Sequence, residues 1–119
     1  MRTTTLKLAG SEIECSLSWK TMKSITEKIA DPVFIAQEVQ KQIKADEEGR
    51  QYDPKVNLDT DACVRMVAIA ADMEEDEVGE LFMDEGIVSA QAETGKLLIA
   101  LLGEGGEERN VGKRKTRKK

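Results

Sequence analysis

The spacing of apolar residues along the chain shifts from two to between three and four near residue 18, and it is lost in one internal stretch and at the C-terminal end. Thr3 to Leu8 alternates β-branched or apolar with polar positions. Glu12 to Ser16 alternates again, with Ile13, Cys15 and Leu17 on one pattern, and Ala9-Gly10-Ser11 between the two runs supplies turn chemistry. That predicts a short β-hairpin. Ser18 can then cap a helix in which Trp19, Met22, Ile25, Thr26 and Ile29 form one face. Asp31-Pro32 ends this helix and starts the next, Asp as N-cap and Pro at the first position, where a missing N–H costs nothing. The second helix continues through Phe34, Ile35, Val39 and Ile43.

Asp46 to Asn57 contains Gly49 and Asp53-Pro54, follows neither period, and reads as a loop expected to be mobile. Asp59 or Thr60 caps a third helix carrying Cys63, Met66, Val67 and Ala70. A fourth runs from Glu74 to Met83 with Val78, Leu81 and Phe82 inward. The acids Glu74 to Glu77 sit where the helix macrodipole favours them. Gly86 suits the left-handed turn after that helix, Ser89 can cap a final one, and Gly103 ends it. The last helix is almost continuously apolar from Leu97 to Leu102, so it should be buried on more than one side, at the centre of the domain or against a second chain.

The expected fold class is therefore α+β, mostly α: an N-terminal hairpin and about five short helices over residues 1–103, then a basic tail over 104–119. A length of 119 residues with 39% hydrophobic content fits one modest core. The stretch Leu97 to Leu102 is too short to span a bilayer, and the N-terminus lacks the apolar centre of a signal peptide, which points to a cytoplasmic chain.

Charge divides the chain unevenly. The formal net charge is −5, but residues 109–119 hold seven basic residues and no acid, which leaves the rest strongly acidic. Lys113, Arg114, Lys115, Arg117, Lys118 and Lys119 lie in a segment with almost no apolar residues, which predicts a disordered tail. Such a tail can contact phosphates or an acidic surface, fold back weakly on the acidic body, or serve only as a solvated end.

The absence of histidine removes the usual triads, histidine metal sites and the common general base. Cys15 and Cys63 form no CxxC motif, the acidic stretches do not fit an EF-hand, and no glycine-rich phosphate loop occurs. Neither catalysis, a metal nor a cofactor is expected. One Trp, one Tyr and two Phe are too few for a base-stacking platform. The profile is that of a binding protein.

The order of parts narrows this further. A strand pair around LKLAGSEIEC, a Trp-containing helix SWKTMKSITEKI, an acid-started helix EEDEVGELF, a glycine, and a terminal helix ending LLIALLG occur in sequence. Together they resemble the tail assembly chaperones of long-tailed phages and prophages, in the branch that includes gene-transfer-agent-like tail proteins. The resemblance spans about residues 4–103, with landmarks Gly10, Trp19, Leu81, Phe82, Gly86 and Leu102. It implies a protein that coats the long helical tape measure protein, helps recruit tail tube subunits, and works without catalysis in the host cytoplasm. A client of that kind exposes apolar stripes, which a small domain can cover by packing helix against helix. The candidate partner-binding residues are Phe34, Val39 and Ile43 on the second helix and Leu98 and Leu101 on the last, and self-association is expected to accompany them. Two other readings compete: a structural tail tube component, and a small nucleic-acid-associated or regulatory protein using its basic tail. The acidic helices argue against nucleic acid except through that tail.

Overall fold

The computed structural model describes residues 2–55 and 58–103. The expected disorder of the basic tail, and all six of its named cations, lie outside the described residues. Strands β1 (Thr3–Leu8) and β2 (Ser11–Ser16) form an antiparallel hairpin, followed by α1 (Trp19–Lys28), α2 (Pro32–Glu47), α3 (Thr60–Ala71), α4 (Glu75–Glu85) and α5 (Ile87–Leu101). The chain is α+β and mostly α, as its periodicity implies. Among the described residues, no helix is long and apolar enough to cross a membrane.

Alternation in β1 sends Thr4, Leu6 and Leu8 inward, with Leu6 and Leu8 fully buried, and Cys15 joins them from β2. The two strands meet through Leu8 and Ser11, so Ala9 and Gly10 alone form the turn, both at positive φ. The edge of β1 away from β2 is covered. Lys7 N–H donates to the Glu93 carboxylate at 2.8 Å, and in the turn Ala9 N–H donates to the Glu85 carboxylate at 2.6 Å, so side chains from α5 and the end of α4 take up an edge donor and a turn donor.

The helices begin largely where the sequence places them. Thr21 N–H donates to Ser18 Oγ, Val33 N–H to Asp31 Oδ1, and Ala62 N–H to Asp59 Oδ1, which settles the third cap on Asp59. Three expectations fail. Thr26 does not lie on the buried face of α1: it is exposed, and its hydroxyl donates back to the Met22 carbonyl at 2.9 Å. Ser89 does not cap α5, because that helix starts at Ile87 directly after Gly86, and the Ser89 hydroxyl donates to the Glu85 carboxylate instead. Trp19 does not face inward: it is 75% exposed, because Thr21 and Ile25 set the buried side of α1 and Trp19 lies about half a turn away from Thr21.

Residues from both strands and all five helices build one core, in which Phe82, Leu6, Leu8, Ile25, Ile35, Met66 and Leu97 are the largest fully buried apolar side chains. Helix α5 packs against β1, α2, α3 and α4, so its buried sides lie within the domain, the first of its two expected settings, while one side stays outward. Burying a side chain such as Leu97 contributes about 2 kcal/mol.

Candidate functional site

Three surfaces have a defined geometry: a clasped loop on α2, the outward face of α5, and a groove between α3 and α4. The first is set by a buried carboxylate. Glu38 is 1% exposed, and it accepts the Tyr52 hydroxyl at 2.8 Å, Lys55 N–H at 2.8 Å and Lys41 Nζ at 3.3 Å. The Lys55 N–H bond, then the Tyr52 hydroxyl, hold its carboxyl below the usual range. Tyr52 and Lys55 belong to the segment expected to be mobile, so that segment is tied to α2 at these two residues.

The candidate partner residues on α2 do not form a single stripe. Phe34 (37% exposed) and Ile43 (45% exposed) are nine positions apart, about half a turn out of phase, on opposite margins of the buried arc containing Ile35, Glu38 and Ala45. Val39 is half-buried against the core. On α5, Leu98 and Leu101 are 5% and 6% exposed, so they are core side chains and offer no surface to a partner. The helix turns them toward the elements packed against it, β1, α2, α3 and α4.

The outward side of α5 carries a different set. Val88, Ala92, Gly95 and Ile99 follow at spacings of four, three and four, which places them on one face. Val88 is 81% and Ile99 52% exposed, Ala92 is exposed and Gly95 half-buried. The spacing was present in the sequence, but the surrounding apolar run from Leu97 to Leu102 hid it. Large residues at the ends and small ones in the middle make a shallow apolar channel along the helix, suited to the close approach of a second helix.

The third surface is a groove of about 600 Å³ between α3, α4 and the first residue of α5. Val64, Phe82, Met83 and Ile87 supply its apolar part, and Asp61, Glu75, Asp76 and Glu80 line it with carboxylates. Met83 is 69% exposed.

Two thiols and two carboxylates have shifted titration. Burial pushes the Cys15 thiol up to about 12, with Glu14 adding to the effect, and the Cys63 thiol up to about 11, so both stay protonated and unreactive at neutral pH. Glu85 is held below the usual range by the Ser89 hydroxyl and Ala9 N–H, in the same direction as Glu38, whereas a general acid needs the opposite shift. Among the described residues, no group of three or more Cys, Asp or Glu is placed to hold a metal ion. Comparison with family models, with curated proteins and with solved structures gives no match.

Proposed function

We propose that the chain is a non-catalytic tail assembly chaperone of a phage or prophage, which holds the helical tape measure protein in the host cytoplasm and assists assembly of the tail tube. The observation that carries this reading is the outward face of α5, where Val88, Ala92, Gly95 and Ile99 present an unpartnered apolar stripe at helical spacing. A client helix laid along it would bury its own apolar stripe, while Ala92 and Gly95 let the two backbones approach. Phe34 and Ile43 on α2 remain accessible for contacts between neighbouring copies on one long client. The element order described above supports the same reading.

Coexpression tests it. The full chain should keep a tape-measure-like helical fragment in the soluble fraction, and Val88→Asp with Ile99→Asp should abolish this while leaving the melting temperature within a few degrees. A folded double variant that holds the fragment as well as the parent chain would overturn the reading, as would a parent chain that does not hold it.

A further inference from the structure

The groove between α3 and α4 combines two properties that point to one occupant. Its apolar part is the exposed Met83 with the half-buried Val64 and Ile87, beside Asp61, Glu75, Asp76 and Glu80. Asp61 pairs with Arg65 on its own helix, but among the described residues no cation pairs with Glu75, Asp76 or Glu80. A ligand for such a place needs several positive charges on flexible apolar stems. Lysine and arginine provide both, since their methylenes lie along apolar surface while the charged ends reach carboxylates.

The chain contains such a ligand in Lys113 to Lys119, six cations in seven residues. We propose that the α3–α4 groove seats this basic segment of the same chain. Reach allows it. Ile87, which lines the groove, is one α-helix away from Gly103, about 24 Å along α5, and the ten residues from Gly103 to Lys113 can span about 33 Å. Charge selects it over the hollow between α1 and the end of α3, where Lys20 and Lys28 stand among the acids and would repel the segment. The groove is separate from the stripe on α5, so the inference does not depend on how a client is held.

The test uses the full chain with Thr116→Cys carrying a nitroxide, a substitution that keeps every tail charge; Cys15 and Cys63 are buried and remain unlabelled. In nitrogen-15 spectra, the amides of Gly79, Glu80 and Met83 should relax several-fold faster than those of α2. The difference should vanish at about 1 M salt, where the Debye length falls to about 3 Å. It should also vanish in Glu75→Gln with Glu80→Gln, and in Lys115→Glu with Lys118→Glu, which leaves the groove untouched. Even relaxation over the whole body, persistence in both charge variants, or an effect seen only between separately labelled molecules would overturn the proposal.

Discussion

The Tyr52 hydroxyl donates to Glu38 at 2.8 Å and so ties the charged loop after α2 to the side of that helix. The same carboxylate receives Lys55 N–H, so removing it releases the loop at two points. Glu38→Ala should lower stability and speed tryptic cleavage at Arg50 and Lys55 several-fold, with faster hydrogen exchange at the Lys55 amide. Unchanged exchange there would show that the carboxylate does not hold the loop.

The same group has a pH signature. Its folded value lies below the ordinary 4.5, so the folded state binds the proton less readily than the unfolded chain does. Its contribution is fully present above about 4.5 and is lost as the pH falls through the lower folded value. Acid unfolding followed by circular dichroism should therefore show a smaller loss of stability below pH 4.5 in Glu38→Gln than in the parent chain.

Glu38 also shows where the sequence was legible and where it was not. The hairpin over Thr3–Leu8 and Ser11–Ser16, the Asp31-Pro32 junction and the Cys63, Met66, Val67, Ala70 face all follow local rules of period and capping, and the structure has them as expected. The rotation of α2 does not follow such rules. Counting apolar residues selects Phe34, Ile35, Val39 and Ile43, yet Phe34 and Ile43 are exposed, Val39 is half-buried, and the helix buries Glu38 and Ala45 beside Ile35, with a loop many residues later satisfying the carboxylate. Partners distant in sequence decide that rotation. The candidate surface suffered similarly: Leu98 and Ile99 are adjacent and equally apolar, and only the packing of α5 against β1 and α3 tells which one is covered.

The hairpin turn has room for improvement. Ala9 has φ 54° and Gly10 φ 80°, a pair of positive values that a two-residue turn of this kind requires, and alanine is a poor occupant of the first. Ala9→Asn should stabilise the protein by about 0.5–1 kcal/mol, read as a higher denaturation midpoint. The backbone N–H that reaches Glu85 is retained, so a fall in the midpoint would contradict the strain assigned to Ala9.

Gly86 ends α4 and starts α5 at φ 102° and ψ 127°, with no heavy atom within 4 Å of where a Cβ would stand. Space is therefore not the constraint. Gly86→Ala should still cost about 1–2 kcal/mol, through backbone strain alone. A neutral result in thermal unfolding would indicate that the two helices meet at a different angle.

Both thiols should resist alkylation in the native state at neutral pH and react readily after denaturation. Their folded values, about 12 and about 11, exceed the ordinary 9.0, so the folded state binds these protons more tightly. The associated stability is full below about 9 and declines as the pH rises toward 11 and 12. Rapid labelling of either cysteine in folded protein would contradict the burial that produces these values.

The sharpest comparison is between neighbours on α5. Leu98 is 5% exposed and packs within the core, whereas Ile99 is 52% exposed on the outward stripe. Leu98→Ala removes buried methyl groups and leaves a cavity, at a cost of about 2–4 kcal/mol. Ile99→Ala removes apolar atoms already largely in water, so its cost should stay below about 1 kcal/mol. Client holding should respond in the opposite order, with Ile99→Ala weakening it and Leu98→Ala leaving the affinity of the folded fraction unchanged. Equal destabilisation by the two substitutions would mean that Ile99 is covered in the free protein. A stronger effect of Leu98→Ala on client holding, measured at a temperature where both variants are folded, would return the partner surface to the leucine face that the sequence favours.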